Sequence, residues 1–306
     1  MELLKALLFG ILEGITEWLP VSSTGHLILL DRFLSLNVEM GSGAEAARFA
    51  ELFRETFDVV VQLGAIGAVT VRYFDRLFPF LSRTPRCGAT RNHAPHYGKK
   101  MLGLYGKLVL SGIPAALVGT LGDRLLAHFT GRDLDGLLYR VPVVAVMLIL
   151  YGVLFLIPDG KLPCLAAKRD AIRTAEDVSP ITAFLIGCFQ ALSIVPGTSR
   201  SGATILGGRM LGLSRAAATE YSFFLAVPTM AGAALLKTLK FGSFVAEHSV
   251  SVPIEAYRVL TVGALSAFVV SLLAIDFLMS TVRKHSFRAF GVYRILLGAA
   301  VLLFAR

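Results

Sequence analysis

The sequence predicts an all-α polytopic membrane protein built from two inverted-topology repeats, each a re-entrant helix-loop-helix followed by three transmembrane helices. Hydrophobic residues make up 55% of the 306 positions and charged residues only 17%, whereas soluble domains carry about 25% charge. Six apolar runs approach the roughly 20 residues that cross a bilayer, and two further apolar regions are interrupted near the middle. This composition excludes a disordered chain, a secreted disulfide scaffold and a typical soluble enzyme.

The predicted elements follow the apolar runs in chain order. The six predicted spans cover 59–71 with its flanks, 103–121, 141–157, 217–236, 259–280 and 287–305. The two interrupted regions, 3–30 and 181–213, carry proline, glycine, serine and threonine at 20–26 and 196–202. The helices on either side of each break are about a dozen residues long, which is too short to span a bilayer. Each region is therefore predicted to be a re-entrant hairpin whose irregular backbone is buried in protein or lines a wet cavity.

Similar spacing before the two breaks indicates an internal repeat. The matching motifs are Gly10-x-x-Glu13 and Gly187-x-x-Gln190. Each break is followed by an apolar half-helix and three spans, so the repeats cover about 1–157 and 178–306 of a single integral membrane domain, 1–306. Because three spans per repeat is an odd number, the second repeat must be inverted in the membrane. Broken helices at matching positions of inverted repeats predict a central site.

The net charge of +9 is distributed unevenly between the two predicted sides. One set of connecting stretches carries 14 Lys and Arg residues and the other carries 10. The set with 14 consists of 72–101, 158–178 and 281–288. The set with 10 consists of 31–54, 122–140, 237–258 and the C-terminus. The more basic side is predicted to be cytoplasmic, so both termini and the mouth of the first hairpin face outward. Because the basic residues lie between apolar runs, we do not expect a nucleic acid partner.

Two carboxylates lie inside the first apolar region, where ionisable groups are costly and usually functional. Glu13 and Glu17 are four residues apart and therefore share one helix face. In a site of low dielectric constant, either one of them takes a proton or a cation lies between them. Divalent ions such as Mg²⁺ prefer oxygen ligands, so the pair is also a candidate metal site. The alternative is that both side chains reach water.

The first break brings hydroxyl groups next to a histidine. The candidates are Ser22, Ser23, Thr24 and His26. With the carboxylates one turn upstream, they supply the residue types of a nucleophile, a base and an orienting group. The serines and threonine are also typical of a helix N-cap, and the histidine could be purely structural.

The second break has the composition of an anion site at a helix start. Its candidate phosphate-binding residues are Thr198, Ser199, Arg200, Ser201 and Thr204. The guanidinium fork of Arg200 matches phosphate oxygens. The alternative is an ion pair between Arg200 and Glu13 or Glu17, which would open when phosphate arrives.

Four further polar residues lie in an apolar context. Gln62 and Glu220 could line the central site or bridge helices, and Asp276 and Lys107 are interpreted as helix–helix or interfacial groups. The whole inventory suits a substrate with a phosphate head and a lipid tail, because phosphoryl transfer needs neutralised oxygens and an aligned nucleophile.

At these motifs the chain resembles the undecaprenyl-diphosphate phosphatases, the bacitracin-resistance family. The resemblance lies in EGITEWLPVSSTGH at 13–26, PGTSRSGAT at 196–204, VQLG at 61–64, EYSFFLAVP at 220–228, and Tyr293-Arg294. It covers nearly the whole chain apart from 31–54 and 80–100. One departure is Asp58, where the family often has glutamate, and this puts a role for that carboxylate in doubt.

The resemblance implies hydrolysis of undecaprenyl diphosphate to undecaprenyl phosphate and inorganic phosphate, which recycles the lipid carrier of cell-wall synthesis and confers bacitracin resistance. It also implies a divalent cation, Mg²⁺ or Ca²⁺, and a place in the bacterial cytoplasmic membrane. The distribution of Lys and Arg predicts that the site opens to the outer face. The partners expected are the polyprenyl diphosphate substrate and membrane lipids, and a homo-oligomer is compatible with the sequence. The family's catalytic residues match Glu13, Glu17, Ser23, His26 and Arg200.

Two points stay open at the level of sequence. The nucleophile is either Ser23, activated by Glu17 or His26, or a water molecule with His26 as base or acid, while Arg200 and the amides of 198–201 hold phosphate. The alternative function is a polyprenyl-phosphate transporter or flippase, because inverted repeats with broken helices are also the design of secondary transporters.

Overall fold

The computed structural model is helical throughout the part of the chain that it describes. It describes residues 1–38, 43–78, 94–130, 138, 140–162, 165 and 170–304, with the backbone alone at 94–100, 123, 126, 127 and 130. Its α-helices are α1 Glu2–Thr16, α2 Ser23–Phe33, α3 Ala44–Arg72, α4 Phe74–Leu77, α5 Ala94–Thr130, α6 Val141–Leu156, α7 Pro180–Ala191, α8 Arg200–Met210, α9 Arg215–Glu247, α10 Ile254–Lys284 and α11 Arg288–Phe304. Short 3₁₀ turns cover Ala175–Asp177 and Leu192–Ile194. These described residues contain no β-strand, although one isolated bridge pairs Ile172 with Leu213.

Both predicted helix breaks are confirmed. Helix α1 ends at Thr16 and α2 begins at Ser23, on either side of a turn that contains Pro20. Helix α7 gives way to a 3₁₀ turn, and α8 begins at Arg200. Proline lacks the backbone N–H that would continue a helix and clashes with the preceding turn, and at both places it stands beside serine, threonine and glycine, which favour a turn.

Three described helices are long and apolar enough to cross a membrane: Met101–Gly122 in α5, Arg215–Glu247 and Ile254–Lys284. Helices α6 and α7 are shorter apolar helices. Large apolar side chains lie exposed along the outer faces, among them Leu117 at 57%, Leu236 at 65% and Leu273 at 72% exposure. Soluble proteins rarely expose so much apolar surface, so the chain is a multi-pass helical membrane protein.

Helix α3 is longer than the predicted span at 59–71, because its first half folds as helix where the sequence predicts a connecting stretch. Phe49 and Phe53 in this extension pack against Phe241 of α9, with ring centroids 5.5 and 6.2 Å apart. Aromatic contacts of this kind stabilise the extension. The most basic part of the predicted cytoplasmic stretch 72–101, with Arg83, Arg86 and Arg91, lies outside the described residues.

The two hairpins pack against helices of the opposite half of the chain. Helix α1 packs on α10, and a Cβ atom at Gly14 would lie 2.8 Å from the carbonyl oxygen of Ala267. Helix α7 packs on α5, and a Cβ atom at Gly187 would lie 2.9 Å from the Cα atom of Ser111. Only glycine permits this close approach of two backbones. Helices α6 and α11 pack against each other.

The tips of the two hairpins meet inside the protein. The Ser201 hydroxyl lies 3.3 Å from the carbonyl oxygen of Glu17. Arg294 of α11 is completely buried and donates to the carbonyl oxygens of Pro20 at 3.2 Å, Gly197 at 2.7 Å and Thr198 at 3.0 Å. One arginine therefore satisfies carbonyl groups from both turns and fixes the two turns relative to each other.

Candidate active site

The two half-helices begin with the same unusual backbone conformation. Ser22, before α2, has φ 73° and ψ 101°, and Ser199, before α8, has φ 70° and ψ 120°. A non-glycine residue in this region is strained by about 1–3 kcal/mol, and such strain is concentrated at functional sites. The residues that follow, Ser23 and Arg200, thereby stand in the first turn of their helices. The Ser199 hydroxyl caps α8 by accepting from the Gly202 amide at 3.1 Å.

Glu17, Ser23 and Arg200 form a cluster that joins the two hairpins. The Ser23 hydroxyl donates to Glu17 Oε2 at 3.1 Å. Arg200 donates to Glu17 Oε1 from Nη2 at 3.1 Å and from Nε at 3.3 Å, and its Nη1 donates to the Ser222 carbonyl oxygen at 2.9 Å. The ion pair considered from the sequence is therefore present with Glu17. It compensates two charges that would otherwise be costly inside the protein.

Glu13 lies one helical turn before Glu17 and is only 1% exposed. Among the described residues, neither of its carboxylate oxygens has a hydrogen-bond partner. A buried, unpaired carboxylate is strongly unfavourable. Glu13 therefore needs either a proton or a cation in the active protein.

His26 is held by contacts that do not include Ser23. Its Nδ1 lies 2.7 Å from the Ser22 carbonyl oxygen and its Nε2 lies 2.7 Å from the Tyr293 hydroxyl. Because a carbonyl oxygen can only accept, Nδ1 carries a proton, and Nε2 of the neutral ring accepts from Tyr293. The two rings also stack, with centroids 5.5 Å apart. Of the two bases considered for Ser23, Glu17 is the one in contact.

A cavity of about 310 Å³ opens beside this cluster. Its polar lining residues are Glu17, Ser22, Ser23, Thr24, Gln62, Gln190, Ser193, Ser199, Arg200 and Thr229. Ala115 of α5 and Met230 and Ala233 of α9 supply apolar lining. The cavity therefore combines a polar end that contains Arg200 with an apolar wall.

The structure divides the predicted phosphate-binding residues into two groups. Ser22, Thr24 and Ser199 line the cavity, whereas Thr198, Ser201 and Thr204 are not among its lining residues. The Thr204 hydroxyl contacts the Ser222 hydroxyl at 2.7 Å. The Ser201 hydroxyl contacts the carbonyl oxygens of Glu17 and Leu19, between α1 and α2. These two hydroxyls join α8, whose first residue is Arg200, to α9 and to the turn after α1.

A second cavity, of about 600 Å³, adjoins the first and shares Ser23, Thr24 and Gln62 with it. Its charged lining residues are Asp31, Arg54, Glu55, Asp58 and Lys237. Charged side chains of this kind are compatible with water in the cavity, which reaches Ser23 and Thr24.

The remaining polar candidates lie apart from the site. Glu220 does not line the cavity and instead pairs with Arg76. Lys107 donates to the Glu176 carbonyl oxygen at 2.8 Å, and Asp276 pairs with an arginine of α3 at 2.6 Å. The contacts of Lys107 and Asp276 agree with their interpretation as helix–helix or interfacial groups. Glu220 joins α9 to α4 through its ion pair with Arg76.

Sequence reasoning missed two residues of the site. Tyr293 and Arg294 entered only as a matching dipeptide near the C-terminus, yet one contacts His26 and the other joins both turns. An arginine within the apolar run 287–305 was the available signal, because a charge in a predicted span marks function by default.

The helices and the cavity define a multi-pass membrane protein with a buried acid–serine–arginine site. Residues 6–300 match the family described as bacitracin resistance protein BacA. The chain is 44% identical over 305 residues to the undecaprenyl-diphosphatase of Enterococcus faecalis, covering 99% of this chain and 97% of that protein. It is 45% identical over 306 residues to the undecaprenyl-diphosphatase of Streptococcus pyogenes serotype M1, covering 100% and 97%. The chain belongs to the bacitracin resistance protein BacA family, as its motifs predicted.

Proposed function

We propose that this protein hydrolyses undecaprenyl diphosphate to undecaprenyl phosphate and inorganic phosphate, recycling the lipid carrier of cell-wall synthesis and conferring bacitracin resistance. The observation that carries the proposal is the contact of one carboxylate with both a serine and an arginine at the edge of a cavity with an apolar wall. Full-length similarity to proteins named undecaprenyl-diphosphatase supports it. The substrate partner is a polyprenyl diphosphate presented by the surrounding membrane lipids.

In the proposed reaction Ser23 attacks the terminal phosphorus. Its Oγ–P bond forms as the bond from phosphorus to the bridging oxygen breaks, and undecaprenyl phosphate leaves with that oxygen. The serine proton passes to Glu17 Oε2, which already accepts a hydrogen bond from it. Water then attacks the phosphoserine, and the bond from phosphorus to Ser23 Oγ breaks. Glu17 returns its proton to Ser23 Oγ, while the oxygen and both protons of the water leave with the inorganic phosphate. Direct attack by water is the alternative, with His26 as the base.

Arg200 changes partner in this scheme. Two of its nitrogens contact Glu17, and an arriving phosphate competes for the same donors. Transfer of the guanidinium to phosphate frees Glu17 to accept the proton of Ser23. The contact with the Ser222 carbonyl oxygen keeps the fork in place during the exchange.

Glu13 and Glu17 are also proposed to hold a divalent cation, Mg²⁺ or Ca²⁺. Among the described residues no group of three or more His, Cys, Asp or Glu is arranged to hold a metal ion. One or two carboxylates nevertheless suffice for Mg²⁺ when water and substrate phosphates complete the shell, and the two unpaired oxygens of Glu13 fit this role. When bound, the ion would neutralise charge on the phosphate oxygens.

The proposed architecture is a pair of inverted repeats within one membrane domain. The reciprocal packing of α1 on α10 and of α7 on α5 supports it, as do the matching backbone angles of Ser22 and Ser199. We further propose that the site opens to the outer face of the cytoplasmic membrane. The charged cavity supports this orientation, because its residues Arg54 and Lys237 belong to stretches predicted to lie outside. A homo-oligomer remains a prediction.

The decisive experiment measures phosphate release from undecaprenyl diphosphate by the purified protein in detergent. We expect multiple turnovers, and we expect EDTA to abolish them and Mg²⁺ or Ca²⁺ to restore them. A flippase needs two compartments and would release no phosphate in detergent, so the absence of release would favour the transporter alternative. Release that is insensitive to EDTA would contradict the cation proposal alone.

A further inference from the structure

Gln190 is a buried polar residue of the cavity that the proposed mechanism does not use. It lies on α7, is only 2% exposed, and lines the catalytic cavity. Among the described residues, its side-chain oxygen has no hydrogen-bond partner. Native proteins usually satisfy such a buried atom with water or a ligand. Because a half-turn of the side-chain amide exchanges its oxygen with its N–H groups, the ligand can be one that accepts hydrogen bonds.

The packing of α7 on α5 locates Gln190 in the cavity. Gly187 contacts Ser111 of α5. Ile194, seven residues after Gly187, comes within 3.9 Å of the Cβ position of Gly119, eight residues after Ser111. The two helices therefore run in the same direction. This register sets Gln190 at the level of Ala115, which is part of the apolar lining.

The apolar lining gives the direction in which the lipid tail must leave. Ala115 of α5 and Met230 of α9 line the cavity, while Leu117 and Leu236 on the same two helices are exposed on the outer surface. A prenyl chain gains free energy by following this apolar path. A chain on this path would bring the phosphate that carries it to the side of the cavity lined by Gln190 and Ala115.

The side-chain chemistry of Gln190 suits a phosphate. In the repeat motifs it occupies the position that Glu13 occupies in the first hairpin. A carboxylate at this position would repel phosphate oxygens, whereas an amide carries two N–H donors and can exchange its ends by rotation. In the proposed mechanism Arg200 leaves Glu17 for the terminal phosphate, so the second phosphate of a diphosphate requires another donor.

We infer that Gln190 is a substrate-binding residue that donates its side-chain amide to the lipid-linked phosphate of the substrate. This inference rests on the proposed function, and it deepens that function by assigning the two phosphates to different walls of the cavity. The terminal phosphate binds at Ser23 and Arg200, and the lipid-linked phosphate binds at Gln190. The cavity thus distinguishes a lipid diphosphate from a free phosphate by this second contact.

Product inhibition tests the assignment, because each product retains only one of the two phosphates. The variant Gln190→Met keeps the length of the side chain and removes its donors. Inhibition of phosphate release would be measured with undecaprenyl phosphate and, separately, with inorganic phosphate. We expect the inhibition constant for undecaprenyl phosphate to rise by about tenfold or more, as for the loss of a hydrogen bond to a charged group, and that for inorganic phosphate to change less than twofold. Cys188→Ala, on the exposed side of the same helix, is the matched control and should change neither.

A second variant, Gln190→Glu, preserves the shape and adds a negative charge, so it should raise the same constant further. Thermal unfolding of all variants in detergent identifies any that fail to fold, and Gln190→Met alone decides the matter if Gln190→Glu is unstable. Unchanged inhibition by undecaprenyl phosphate, or a larger effect on inorganic phosphate, would overturn the inference. An inactive wild-type protein would instead refute the proposed function, so the two failures are distinguishable.

Discussion

At the scale of the residue, Glu17 is the centre of the site because it is the partner of both Ser23 and Arg200. One oxygen accepts from the nucleophile candidate and the other accepts from the phosphate-binding candidate. In the proposed mechanism this carboxylate exchanges its arginine partner for the proton of Ser23. The carboxylate oxygens of Glu13, one helical turn before Glu17, have no hydrogen-bond partner among the described residues.

Replacing either acid with its amide tests this division of roles. Glu17→Gln should reduce turnover by at least about tenfold, because general-base catalysis typically contributes 10²–10⁴. Glu13→Gln should also reduce turnover by tenfold or more and should raise the Mg²⁺ or Ca²⁺ concentration needed for half-maximal activity. Phosphate release measured across a cation titration, together with thermal unfolding, checks both expectations. Near-normal turnover in the two variants would contradict the acidic site.

Arg200 tests the role of geometry as opposed to charge. Lysine keeps the charge but loses the planar fork, and it cannot reach both Glu17 and the Ser222 carbonyl oxygen as arginine does. Arg200→Lys should therefore lose about 10²–10³ in turnover, the usual effect of removing a charge-stabilising donor. Steady-state kinetics of the folded variant checks this. A turnover close to that of the wild type would mean that Arg200 serves only as the counter-charge of Glu17.

At the scale of the element, each hairpin depends on a helix from the other half of the chain. Helix α7 approaches α5 so closely that any Cβ atom at Gly187 would overlap the backbone of Ser111. Backbone atoms cannot move aside as a flexible side chain can. The position of the second hairpin, and with it that of Arg200, is therefore set by this contact.

Gly187→Ala should displace α7 and lower stability, since overpacking of this kind costs typically 1–3 kcal/mol. We expect a lower midpoint of thermal unfolding and reduced turnover. Gly106→Ala on α5 is the matched control, because nothing lies within 4 Å of its Cβ position and alanine is the better helix former. Equal unfolding midpoints for the two variants would show that the close contact does not limit stability.

At the scale of the whole molecule, the orientation in the membrane decides which compartment the cavity meets. One predicted side of the membrane carries 14 Lys and Arg residues and the other carries 10. This excess predicts that the stretch 281–288 is cytoplasmic and that 122–140 is external. In a background in which Cys87, Cys164 and Cys188 are replaced by alanine, His128→Cys and His285→Cys supply one reporter on each side.

In intact cells, an impermeant maleimide should label His128→Cys. It should label His285→Cys only after the membrane is permeabilised. The two histidines are both exposed, so a difference in labelling reports the side of the membrane. The reverse pattern would place the cavity on the cytoplasmic side and would contradict the proposed orientation.

Local features of the fold were predictable from the sequence because they depend on residues close together in the chain. Proline in a cluster with serine, threonine and glycine favours a turn, and both breaks were located correctly from such clusters. The single prolines Pro114 and Pro228, by contrast, lie inside α5 and α9. The extension of α3 was not predicted, since it depends on the contact of Phe49 and Phe53 with Phe241, nearly two hundred residues away.

The sequence by itself determined the membrane class, the two helix breaks, the family and the residue types of the site. All of these follow from composition, from local backbone preferences and from contiguous motifs. Only the tertiary structure decided which partner each residue takes: Glu17 with Arg200, His26 with Tyr293, and Arg294 with both turns. These partners are separated by about one hundred to nearly three hundred positions, and no helical period relates them. The packing of whole helices brings them together, so their pairing is a property of the folded molecule.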